Sequence, residues 1–185
     1  DTNDGGSYEY SLGLNGLGLC ATQYASEYME AEVHSGGFCY ELQFKAGKIN
    51  GEMKKTEYAK KDTGSRIKWK PDLKVFTDIN VSLEYFQETI KKQAVVNNGI
   101  TFVLRNQLTE TKFETFEYLY ENGIVDYVNE FVGDEAFTTV QFWQAERKGR
   151  DREDKPEYKL KMNMAICFSK TKQLKEYYHN SSFLE

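Results

Sequence analysis

The chain has 185 residues, a hydrophobic fraction of 39% and a net charge of −5 at neutral pH. That length suits one large domain or two small ones with a real core, and an aromatic content of 15% excludes a disordered chain. The acidic balance gives no sign of a DNA-wrapping or membrane-surface protein.

In chain order, residues 1–18 read as a polar, glycine-rich loop. A helix is predicted from near Gly16, with Leu17, Ala21, Tyr24, Ala25 and Tyr28 on one apolar face. Two strands follow near 28–34 and 38–45, joined by Ser35-Gly36-Gly37, a hairpin signal. Lysines and glycines over 47–62 predict a polar connection, and 65–69 a short strand ended by Pro71. A helix is expected over about 82–95, capped by Asn80 or Ser82, with Leu83, Phe86, Ile90 and Ala94 inward. Asn97-Asn98-Gly99 stops it. Strands near 100–105 and 111–119 make a second hairpin, and a short helix after Asn122-Gly123 carries Ile124, Val128 and Phe131. The last strands lie near 138–145 and 157–168. In the second, Tyr158, Leu160, Met162, Met164 and Ile166 alternate with polar residues. Residues 146–156 form a charged tip, which reads as a solvated loop of mixed sign or as a contact surface for protein or DNA.

Cys20, Cys39 and Cys167 are odd in number and widely separated. They predict a reducing compartment and three buried small apolar side chains rather than a disulfide framework. No short metal-ligand spacing is present, and His34 and His179 lie far apart, so no metal site is assigned. No apolar run approaches the roughly 20 residues of a membrane span, and no signal peptide is visible. Because the chain opens at Asp1 rather than Met, the expectation is a piece of something longer.

One motif carries chemistry. Gly13-Leu14-Asn15-Gly16-Leu17-Gly18 is a glycine-rich loop running into a helix. Glycines permit close approach of the main chain to a ligand, and a helix start supplies unpaired N–H groups suited to phosphate. The dinucleotide fingerprint would need a strand before it, and the Walker loop a Lys-Ser/Thr pair; neither is present. By composition alone the segment is either an ordinary loop or a phosphate cradle.

Ser11-Leu12-Gly13-Leu14-Asn15-Gly16-Leu17-Gly18 resembles the ATP-lid motif of the B subunits of DNA gyrase and topoisomerase IV, typically Ser-Gly-Gly-Leu-His-Gly-Val-Gly. Three further landmarks follow in register. Thr63-Gly64-Ser65 through Trp69-Lys70-Pro71 is similar to the family's Thr-Gly-Thr strand ending in Trp-Pro. Asn97-Asn98-Gly99-Ile100 is similar to its Asn-x-Gly, and Glu121-Asn122-Gly123-Ile124 to its Glu-Gly-Gly-Ile. The resemblance covers residues 5–132 and, more loosely, the strands to 168. It places the chain in the superfamily that also holds heat-shock chaperones, sensor histidine kinases and mismatch-repair ATPases, whose lid motifs differ between the glycines.

The resemblance implies an α+β fold. Residues 1–121 would be the later portion of a two-layer Bergerat-type ATP-binding sandwich, with the lid at 1–18. Residues 122–185 would begin the transducer domain. It implies a phosphate-binding set of Gly13, Leu14, Asn15, Gly16, Leu17 and Gly18, with Tyr8 and Ser65 toward adenine. Serine for threonine at 65 keeps donor and acceptor, while asparagine for histidine at 15 loses titration near neutral pH. No residue matches the family's general-base glutamate, its magnesium-binding asparagine or its Gln-Thr-Lys lysine, so no catalytic residue is assigned. Thr171-Lys172 lacks the glutamine and comes too early. The parent enzyme would use ATP and Mg2+, pair with the DNA-cleaving A subunit, DNA and a second B subunit, and act in the cytoplasm away from membranes. This chain alone is expected to bind no cofactor and to be inactive. The competing reading is a degenerate or free-standing nucleotide-binding module used for protein contacts.

Overall fold

Paired positive-φ residues set the hairpins of this computed structural model, which describes residues 17–60, 62–154 and 157–184. Strand β1 (Ser26–Ser35) turns through Gly36 and Gly37, at φ 59° and 79°, into β2 (Phe38–Lys45). Those angles match the twist of a two-residue hairpin turn, and glycine adopts them without strain. Ala46 and Gly47, at φ 48° and 76°, make a second tight turn into β3 (Lys48–Ile49). β4 (Lys54–Glu57) pairs with the other half of β2, and β5 (Gly64–Pro71) pairs antiparallel with β1. The connection expected over 47–62 thus contains two short strands, which satisfy the free edge of β2.

The first helix, α1 (Leu17–Tyr24), starts where predicted but ends before Ala25. Ala25 N–H closes its last turn on the Ala21 carbonyl, and Ser26 then pairs with Pro71. Pairing between β1 and β5 claims Tyr28 for a strand, so the apolar stripe through Tyr28 is not a helix face.

The chain divides after Asn80 into two compact units. In the first, strict alternation gives the sheet two faces. Met29, Ala31 and Val33 of β1 share one face with Tyr40, Leu42 and Phe44 of β2 and with Ser65, Ile67 and Trp69 of β5. Glu30, Glu32 and His34 share the other with Cys39, Glu41, Gln43, Arg66 and Lys68. Met29 and Ser26 are buried.

The second unit opens with α2 (Leu83–Val96), whose cap is Ser82: its Oγ accepts from the Tyr85 N–H at 3.2 Å. Leu83, Ile90 and Ala94 turn inward as predicted, but Phe86 is exposed and stacks edge-on with Tyr85. Hairpin β6 (Phe102–Gln107) and β7 (Phe113–Tyr118) follows, then α3 (Ile124–Val132) and hairpin β8 (Gln141–Gly149) and β9 (Tyr158–Ile166). A last short hairpin joins β10 (Tyr177–His179) to β11 (Ser182–Leu184) through Asn180 and Ser181, both at positive φ. Ala94, Val95 and Tyr120 form the buried centre, packed by Phe102, Tyr118, Ile124 and Tyr127. The alternating face of β9 is present as predicted, yet its side chains from Tyr158 to Ile166 are largely exposed. Among the described residues, no helix is long and apolar enough to cross a membrane.

Candidate functional site

Of the residues expected to bind nucleotide, Tyr8, Gly13, Leu14, Asn15 and Gly16 lie outside the described residues. Leu17 and Gly18 form the first turn of α1. Thr22 Oγ1 donates to the Gly18 carbonyl at 2.9 Å, which ties that turn down. Among the described residues outside its own helix backbone, nothing lies within 4 Å of where a Cβ at Gly18 would sit. The helix is held at its other end: Gln23 Nε2 donates to the Gly47 carbonyl at 2.7 Å. The Tyr24 ring lies so close over Gly47 that a Cβ there would sit 2.7 Å from it. Glycine at 47 therefore serves both the positive φ of the turn and the seat of α1.

Ser65 is near the start of β5, opposite Val33 and thus toward the end of β1 remote from α1. Its hydroxyl belongs to the apolar face, with Ile67 and Trp69 further along the same strand. Trp69 is 43% exposed, so the face offers flat apolar surface with one small hydroxyl near its edge.

The opposite face carries the charged groups. Lys68 Nζ lies 3.5 Å from Glu30, and Lys70 Nζ 2.6 Å from Glu27. The hydrogen bond to Glu27 and its charge hold the Lys70 ammonium above the ordinary lysine range. Toward the hairpin end, His34 Nε2 lies 3.0 Å from a Glu32 oxygen, and the imidazole stacks on Tyr58 with ring centres 3.9 Å apart. Cys39 is directly opposite His34. Partial desolvation, then the Glu32 and Glu41 carboxylates, push its thiol pKa up. Linear spacing hid this group. The signal was the alternation of Glu32 and His34 carried across the Gly36-Gly37 turn, which fixes Cys39 beside them.

In the second unit Glu130 accepts from Lys91 Nζ and from Tyr120 Oη, each at 2.6 Å. Glu176 accepts from Tyr178 Oη at 2.7 Å and from Tyr127 Oη at 3.4 Å. These bonds tie α2, α3 and the final hairpin together and build no cleft of their own.

No family model matches the chain. It is similar to gyrase B of Staphylococcus aureus, 34% identical over 125 residues, which are 67% of this chain and 19% of that protein. It is equally similar to gyrase B of Staphylococcus epidermidis, 34% identical over 126 residues. The chain thus spans about a fifth of the length of the curated relatives it matches. In fold it matches the 43K ATPase domain of Thermus thermophilus gyrase B, solved with an aminocoumarin, at TM-score 0.61 and 18% identity, covering 75% of this chain and 37% of that one. It also matches the topoisomerase IV ATP-binding domain of Francisella tularensis, solved with a small-molecule inhibitor, at TM-score 0.57 and 23% identity, over 73% and 39%.

The mixed helix-and-sheet fold is therefore that of the ATPase regions of bacterial type II topoisomerases, and the α+β class read from the sequence is borne out. By sequence the chain is similar to the B subunit of DNA gyrase over two thirds of its own length, in keeping with the family its motifs resemble.

Proposed function

We propose that these residues serve the ATP-hydrolysing B subunit of a bacterial type II topoisomerase, which couples ATP binding and hydrolysis to DNA strand passage. The observation that carries this reading is the 34% identity to gyrase B over 125 residues, reinforced by the fold of gyrase B and topoisomerase IV ATPase regions. In it, Gly13, Leu14, Asn15, Gly16, Leu17 and Gly18 cradle the ATP phosphates through main-chain N–H groups, which need close approach. Gly18 fits that role, because no described residue outside its own helix backbone crowds the place of its absent Cβ. Ser65 fits the adenine side, a hydroxyl on an otherwise apolar face; Tyr8 joins it there.

ATP supplies the phosphoryl group to be transferred, with Mg2+ as its counterion. This chain contributes the lid and the Ser65 strand, and no residue of it is assigned to the metal, the general base or the γ-phosphate lysine. The boundary between ATP-binding and transducer portions is placed at 121/122 by motif. Tyr120 and α3 share one core across that point, inside the compact unit that begins after Asn80. The partners are a DNA-cleaving A subunit, DNA and a second B subunit, and the compartment is the cytoplasm.

The test has two arms. The 185-residue chain should release no phosphate from Mg-ATP above background, because base and lysine chemistry are needed for turnover. The gene product carrying these residues, mixed with its DNA-cleaving partner, should change DNA linking number with ATP and lose that activity on Gly16→Val. Turnover by the short chain that Gly16→Val leaves intact, or a gene product that binds nucleotide yet never alters linking number, would overturn the reading.

A further inference from the structure

We propose that Glu32, His34 and Cys39 form a binding site for a borderline-soft divalent cation such as Zn2+. The three donor atoms, a carboxylate oxygen, an imidazole nitrogen and a sulfur, all lie within 4.8 Å of one another. A tetrahedral zinc ion with bonds of about 2.0–2.3 Å spaces its ligands roughly 3.3–3.7 Å apart. Side-chain adjustments of about an ångström therefore close the site around an ion, with no change in the backbone.

The backbone is fixed for this purpose. Glu32 and His34 are two residues apart on β1 and so point the same way. Cys39 sits opposite His34 across the pair of strands. Both strands are paired on their outer sides too, β1 with β5 and β2 with β4, which denies them the freedom of a loop. All three side chains are only partly exposed, unlike solvated surface acids.

The surroundings support the same use. Tyr58 stacks on the His34 ring and fixes its plane. Thr56 on β4 is directly opposite Cys39, where a side chain can orient a ligand from outside the site. Glu41 is opposite Glu32 and adds negative charge, while Arg66 on β5 offsets part of it. Coordination takes the sulfur as thiolate, its proton going to solvent. Sulfur and imidazole together select Zn2+, Co2+ or Cu over Mg2+ and Ca2+. The site is thus chemically separate from any magnesium that accompanies ATP, and it does not depend on the function proposed above. Three protein ligands leave a fourth position for water or an incoming group.

Co2+ titration of the reduced, chelator-stripped chain in excess Mg2+ tests this. The expected result is saturable one-to-one binding, with thiolate-to-cobalt charge transfer in the near ultraviolet, intense tetrahedral d–d absorption in the visible, and loss of both on adding Zn2+. Cys39→Ser should abolish the charge-transfer band. His34→Ala and Glu32→Gln should each weaken binding by roughly 10–100-fold or more, and Cys20→Ser and Cys167→Ser should change nothing. Circular dichroism checks that each variant folds; should Cys39→Ser unfold, the Glu32→Gln affinity decides. No saturable band, a band that survives Cys39→Ser, or an affinity untouched by both Glu32→Gln and His34→Ala would overturn the site.

Discussion

Tyr120, Glu130 and Lys91 show how one acid can anchor two elements. Partial burial by itself would raise the Glu130 pKa, but hydrogen bonds from Lys91 and Tyr120 outweigh it and leave the carboxyl below the usual glutamate range. Its contribution is therefore present above the unfolded pKa, near 4.3, and fades as pH falls through the lower folded value. The phenols behave oppositely. Burial first, then the Glu176 carboxylate, push Tyr127 up to about 12; burial and Glu130 raise Tyr120 as well. An unfolded tyrosine ionises near 10, so the folded state holds the protons longer and stability is lost as pH rises from about 10 through the folded pKa. Melting temperature should fall across roughly pH 10–12, and Tyr127→Phe should make that fall shallower; an unchanged slope would show that other groups cause it. At neutral pH, Tyr120→Phe should cost roughly 1 kcal/mol in urea unfolding, the worth of one buried hydrogen bond.

At the scale of elements, Gly123 decides how the second unit turns from β7 into α3. It holds φ 55° and ψ −123°, a conformation closed to residues with a Cβ. An added Cβ would also lie 3.1 Å from the Val95 carbonyl oxygen and 3.2 Å from Asn98. Gly123→Ala should therefore destabilise the second unit by about 2 kcal/mol or more. Gly36 makes the contrast: it too has positive φ, but among the described residues nothing lies within 4 Å of its missing Cβ. Gly36→Asn should stay within about 0.5 kcal/mol, since asparagine suits such turns. Urea midpoints of the two variants measure the difference, and equal losses would refute the role given to Gly123. Glu121-Asn122-Gly123-Ile124 was legible as a break because Asn-Gly is a turn signal; that Val95 closes on it was not, because the contact joins residues far apart in sequence.

Over the whole molecule, charge pattern governs what the surface can hold. The chain carries net charge −5. Two of the lysines that could have joined a basic stripe are paired locally, Lys68 with Glu30 and Lys70 with Glu27. Arg66 is opposite Glu32. Since neutralising phosphates dominates non-specific DNA affinity, duplex binding should be weaker than about 10⁻⁶ M at ~150 mM salt. Fluorescence anisotropy with a labelled duplex at two salt concentrations measures it. Sub-micromolar affinity that disappears on replacing Lys68 and Lys70 would mean that these ion pairs open to DNA.

Sequence alone determined the local grammar: the Gly36-Gly37 hairpin, a helix cap at Asn80 or Ser82, the stop at Asn97-Asn98-Gly99, the alternation of β9, and the motifs that resemble those of gyrase B. These are set by backbone angles, caps and periodicities that neighbouring residues impose on one another. Tertiary structure decided the rest. It cut α1 at Tyr24 by pairing Ser26 with Pro71, and turned the 47–62 connection into strands by giving them an edge of β2 to bond. It left Phe86 in solvent, and it gathered Glu32, His34 and Cys39 on one face of a sheet. Each of those outcomes depends on which segment becomes a hydrogen-bonding or packing neighbour, and that choice is made by the energy of the whole fold rather than by any local stretch of chain.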